Sequence, residues 1–165
     1  MHHHSLGMRA PPSKTRILPT IGLASLLACG LPRDPEDTLS RVRGGTLRVG
    51  VVDAPPWAMH EPGRPPRGRE VEAAERLAHD LGATIEWVPG GETRLMHALQ
   101  TYELDLVIGG LIKDSPYQGE VGFTRAYLTC AHEHVFAGPP GENRWLMTVE
   151  AFLAREPATC DGEAP

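Results

Sequence analysis

The chain has 165 residues, with 16 basic and 21 acidic side chains and a net charge of −5 at neutral pH. That length holds one domain with a real core and is too short for two ordinary ones. The acidic balance and the scattered arginines exclude the basic surface that nucleic acid requires, since the densest group ("RPPRGR", Arg64 to Arg69) sits in a Pro/Gly loop.

The N-terminus reads as a targeting segment rather than part of a fold. "MRAPPSKTR" supplies a positive region (Arg9, Lys14, Arg16), and "ILPTIGLASLLA" (Ile17 to Ala28) is an apolar run too short to span a bilayer comfortably. Ala28 stands immediately before Cys29, and Leu26 three before it. This resembles the lipobox of bacterial lipoprotein signals, and that resemblance implies a lipid on Cys29 and cleavage before it. Residues 1–7 read as a partial tag or an upstream start, because Met8 begins a better signal, and His2, His3 and His4 receive no metal role. Removing residues 1–28 takes away three bases and no acid, so the charge moves from −5 to −8. That disfavours direct attraction to anionic lipid and leaves the lipid as the membrane tie.

Residues 29–45, including "GLPRDPEDTLSRVRGG", read as a flexible tether rich in Pro, Asp and Arg. From Thr46 the texture changes. "TLRVGVV" alternates Leu47, Val49 and Val51 on one face and ends in "DAPPW", which cannot continue a strand. "REVEAAERLAHDLGA" places Val71, Ala74, Leu77, Ala78 and Leu81 on a helical stripe, with Gly82 as a left-handed cap. "TIEWVPG" is a short strand with Ile85 and Trp87 on one side. "ETRLMHALQTYE" predicts a helix with Leu95, Ala98, Leu99 and Tyr102 inward. "LDLVIGG" is an apolar run bounded by glycines, as in a strand covered on both faces.

Crossovers of this length require parallel pairing of right-handed sense. "AHEHVFAG" then reads as a return strand. "GENRWLMTVEAFLARE" reads as a closing helix capped by Asn143, with Leu146, Val149, Phe152 and Leu153 inward, and Pro157 stops it. The expected fold is therefore α/β: a single three-layer lobe over residues 46–156 with a mostly parallel sheet, followed by a disordered tail, 157–165. Cys130 and Cys160 could pair in an oxidising compartment, although Cys160 lies in that tail.

"LRVGVVDAPPWA", "GREVEAAERLAHDLGATIEWVPG", "LMHALQTYELDLVIGGL" and "VGFTRAY" follow one another at spacings that resemble the first lobe of bacterial extracellular solute-binding proteins of the amino-acid-binding class. The resemblance implies a periplasmic or extracytoplasmic component holding a small solute between two lobes, linked to ABC-type transport. Here the segment after "FTRAYLTC" runs into the return strand and closing helix, so the expectation is a complete first lobe with the second omitted. Family members that bind amino acids carry a threonine and an arginine after the glycines. Ile112 and Tyr117 stand at those positions, and neither supplies the planar fork that grips a carboxylate.

The candidate solute contacts are Asp53, Trp57, Gly109, Gly110, Leu111, Ile112 and Tyr117, all placed where strands end. Each has a plainer alternative. Asp53 could cap its own turn, Trp57 could be core, the glycines could merely turn the chain, and Tyr117 could be surface. Leu111 and Ile112 offer backbone amides that could hold an anion or carbonyl. His132 and His134, two apart in a strand, provide only two metal ligands without a third, so no metal or cofactor is expected. No hydrolase, phosphate-loop or metalloprotease motif is present, and Cys130 with His132 lacks an orienting third group. Two readings follow. One is a lipid-anchored, non-catalytic solute-binding lobe that binds weakly or with a partner lobe, as a homodimer or with an envelope protein. The other is an interaction module of an envelope complex that has lost solute binding.

Overall fold

The computed structural model describes residues 1–2, 34–157 and 159–160. Cys29 and the targeting segment lie outside the described residues. A five-stranded sheet carries the fold, in the order β2-β1-β3-β7-β4. Strands β1 (Thr46–Val51), β2 (Thr84–Pro89) and β3 (Leu106–Ile108) are parallel, with Val49 opposite both Trp87 and Leu106. Strand β7 (Ala137–Gly138) returns antiparallel to β3, and β4 (Gly122–Phe123) pairs with β7.

Helices α1 (Thr38–Val42), α2 (Arg69–Asp80) and α4 (Asn143–Leu153) cover one face, and α3 (Glu92–Gln100) covers the other. This follows from the right-handed crossovers, which put α2 and α3 on opposite sides as the chain steps from β1 out to β2 and back to β3. Pleating then sorts the strands. Leu47, Val49, Val51, Leu106 and Ile108 face the α2 side, and Val107 faces Leu95, Met96 and Leu99 of α3. Each fully buried Leu or Val contributes about 1.5–3 kcal/mol. The expected stripe of α2 is buried, except that Leu81 caps the helix and Gly82 follows at φ +64°. Among the described residues no helix is long and apolar enough to cross a membrane.

Four expectations need correction. The segment read as a tether is folded from Asp34 onward, because Leu39 and Val42 of α1 enter the core. Asn143 is not the cap of α4. The Asp34 carboxyl accepts from the amides of Arg144 (2.7 Å) and Trp145 (3.2 Å), and the buried Glu142 carboxyl in turn accepts from Glu36 (2.7 Å) and Thr38 (2.8 Å) at the start of α1. Each helix thus has its first amides satisfied by an acid that precedes the other helix.

The return strand is split. Its first half, β6 (Glu133–His134), pairs with β5 (Leu128–Thr129) in a separate hairpin, so between β4 and β7 the chain makes only this hairpin. Finally, the tail is pinned where it is described. Cys160 is disulfide-bonded to Cys130 at the hairpin turn, and the Thr159 carbonyl accepts from Arg69 at 2.6 Å.

Candidate functional site

The parallel strands end together at one edge, where β1 runs into Val52–Asp53, β2 into Gly90–Gly91 and β3 into Gly109–Gly110. Gly109 and Gly110 have φ of +129° and +67°, and a Cβ on Gly110 would sit 2.7 Å from the Trp57 ring. Glycine is therefore required twice, for the turn and for the close approach of the indole.

The turn forms an anion-binding cradle, and the chain fills it itself. Glu70, in the first turn of α2, is 1% exposed. One of its carboxyl oxygens accepts from the amides of Gly109 (2.7 Å) and Gly110 (3.0 Å), and the other from the Tyr127 hydroxyl (2.5 Å). Burial raises its pKa above the usual carboxylate range, against the opposing pull of the Tyr127 and glycine hydrogen bonds and of nearby His134. The signal for this residue was legible, since Glu70 lies four before Ala74 and seven before Leu77 on the apolar stripe of α2.

Trp57 is 6% exposed, so it belongs to the packed interior of this edge. Its ring centroid lies 3.9 Å from that of His134, and the Arg69 guanidinium lies 5.0 Å from the indole centroid. His134 is buried against Trp57 while His132 is exposed, so the two imidazoles do not share a face. Leu111 is buried in the α3-side core, and its carbonyl accepts from Val135 at 3.0 Å. Ile112 bridges to His134 and is half-buried, and Lys113 is fixed beside it by a 3.1 Å ion pair with Glu133. Tyr117 packs against the α3-side core and places its hydroxyl 2.8 Å from that of Thr93, at the start of α3.

At the ends of β1 and β2 a cleft of about 500 Å³ is open, lined by Val51, Val52, Asp53, His60, Pro62 and Pro89–Gly91; another hollow, of about 730 Å³, lies beside the loop beyond β3, between Lys113, Phe123, Arg125 and Glu150. Asp53 is exposed in the cleft, and its Oδ1 accepts the His60 amide at 3.1 Å, which closes the loop between them. Of the sequence candidates, Asp53 alone lines this cleft. His60, Gly90 and Gly91 join it, brought there by a loop that no periodicity describes. A further hollow of about 700 Å³ lies between α2, α4 and the pinned tail. It sits on the helical flank of the lobe, and the Arg76–Glu156 pair spans it.

Residues 47–155 match the family model for bacterial extracellular solute-binding proteins, family 3. The chain belongs to that family. Among solved structures, this solute-binding lobe is similar to the arginine-bound form of domain 1 from TmArgBP, with a TM-score of 0.64 and 21% identity over 71% of this chain and 98% of that one. It is also similar to the arginine-bound form of truncated ArgBP from T. maritima, with a TM-score of 0.60 and 12% identity over 70% of this chain and 98% of that one. The ancestral amino acid-binding protein AncCDT-1, a precursor of cyclohexadienyl dehydratase, matches with a TM-score of 0.62 and 17% identity over 72% of this chain and 92% of that one. At these identities the likeness establishes the fold. No curated protein matches the chain.

Proposed function

We propose that this solute-binding protein is a non-catalytic capture lobe of the bacterial cell envelope, tied to its membrane by a lipid on Cys29 and serving ABC-type transport. It holds a small solute in the cleft at Asp53, His60 and Gly90–Gly91. The observation that carries this reading is an open cleft at the carboxyl edge of the parallel strands in a chain whose family binds solutes. The similarity to a lone domain 1 in arginine-bound form supports a single lobe as a binding unit.

The recognition chemistry differs from a carboxylate clamp. Ile112 and Tyr117 supply no cationic fork, and the glycine amides are taken up by Glu70. Asp53 is an acceptor, so the solute is one that presents a hydrogen-bond donor or a cationic group, such as an amine or a basic amino acid. One wall covers only part of a small molecule, so binding is weak until a second copy or another envelope protein supplies the opposite wall. Thermal-shift titration of the mature protein with amines, basic amino acids and neutral solutes tests this. A rise in Tm with a donor-bearing solute, lost in Asp53→Ala, is expected; a flat response across the panel overturns it. For the anchor, Cys29→Ser should move the protein from the membrane to the soluble fraction, and unchanged fractionation contradicts it.

The occupied glycine cradle favours a second reading, an assembly module without a solute. A pull-down with mature protein that captures one envelope protein, with no thermal response to any solute, would select it.

A further inference from the structure

The Asp34–Glu142 exchange has a consequence for how an anchored lobe is held. Asp34 and α1 are fastened at the amino edge of the parallel strands, because β7 runs down to that edge and α4 starts there. Glu142 binds the α1 amides from the same place, and Arg41 of α1 reaches the buried Asp105, just before β3. Gly44, leaving α1, donates to the Leu81 carbonyl at the end of α2, also at this edge. The cleft of Asp53 and Gly90 opens at the opposite edge, a strand-length away. Strand β1 has six residues, which spans about 20 Å.

Only residues 30–33 separate Cys29 from Asp34. Even fully extended, the link from Cys29 to Asp34 reaches no more than about 18 Å. It is thus shorter than the body it would have to pass for the cleft to face the bilayer.

From this, and resting on the lipid anchor proposed above, we infer that the amino edge with α1 is the membrane-facing surface and that the solute cleft is presented to the aqueous compartment. The partner of this surface is the lipid headgroup layer itself, held against it by the short link rather than by charge. The wall that completes the half-site therefore arrives from the aqueous side.

The test uses the full-length lipidated protein floated on phosphatidylethanolamine–phosphatidylglycerol vesicles that carry nitroxide headgroups. A fluorophore is placed either at Arg43→Cys, beside α1, or at Asp114→Cys, in the exposed loop beyond β3. Severalfold stronger quenching at position 43 than at 114 is expected. Inserting about twenty Gly/Ser residues between Pro32 and Arg33 should bring the two positions close to equal, because such a linker spans roughly 25 Å on average. Equal or reversed quenching without the insertion overturns the orientation while leaving the anchor standing. Failure to float overturns the anchor, and the orientation with it.

Discussion

The two edges of the sheet each bury an acidic side chain and treat it in opposite ways. At the amino edge Asp105 meets cations. Arg48 grips it with a fork (2.7 and 3.2 Å) and with its own amide (2.8 Å), and Arg41 adds a second guanidinium. Burial pushes the Asp105 pKa up, but the hydrogen bonds from Arg48 and Arg41 outweigh it and hold the carboxyl below its ordinary value. At the carboxyl edge the Glu70 carboxyl accepts from two amides and a phenol, with no guanidinium bonded to it among the described residues, and burial raises its pKa. The amino edge is built to stay closed. At the carboxyl edge, neutral donors stand around an acid that burial disfavours as an anion.

Breaking the amino edge should cost most. Asp105→Ala leaves Arg48 half-buried without its counter-charge, and a loss of about 3–5 kcal/mol in denaturant unfolding is expected. A loss under about 1 kcal/mol would mean that the pair is effectively solvated. At the other edge, Glu70→Ala strands two amides and a phenol, with an expected loss of about 3 kcal/mol, whereas Glu70→Gln keeps acceptor and shape and should cost much less. Equal losses for the two variants would place the effect in charge rather than in hydrogen bonding. Asp34→Ala removes the cap on α4, and about 1 kcal/mol in thermal unfolding is expected.

The pH dependence gives the finest contrast. A raised acid contributes stability that is present at low pH and is lost as pH climbs from the unfolded glutamate value, about 4.3, through its folded value. The depressed Asp105 does the reverse, contributing above about pH 3.9 and losing its contribution as pH falls through its folded value. The stability of Glu70→Gln relative to wild type should therefore grow as pH rises above the unfolded glutamate value, with no matching change on the acid limb. A parallel pair of pH profiles would contradict the assignment.

Much of the carboxyl half of this picture was written in periodicity. The alternation of β1, the stripes of α2 and α3 and the glycine-bounded β3 follow from side-chain spacing, and the length of the crossovers sets the parallel pairing of the strands. The amino edge was less legible because its information is non-local. Residues 34–45 hold only a short apolar stripe, Leu39 and Val42, and their amides are completed by Glu142, more than a hundred positions away. The same holds for the tail, whose hold depends on Cys130 and Arg69. Trp57 illustrates a third limit. Its position after "DAPP" is compatible with either the cleft or the core, and the indole turns inward because Gly110 leaves room for it and His134 offers a ring to stack on.

Amide chemical shifts of the mature, isotope-labelled protein, followed while amines and basic amino acids are added to millimolar concentration, would locate any solute on the lobe. A solute held where the strands end should move the amides of Asp53, His60, Gly90 and Gly91 together, leaving those of α1 and α4 in place. Shifts confined to the α2–α4 hollow, or none with any solute, would contradict the assignment of this cleft.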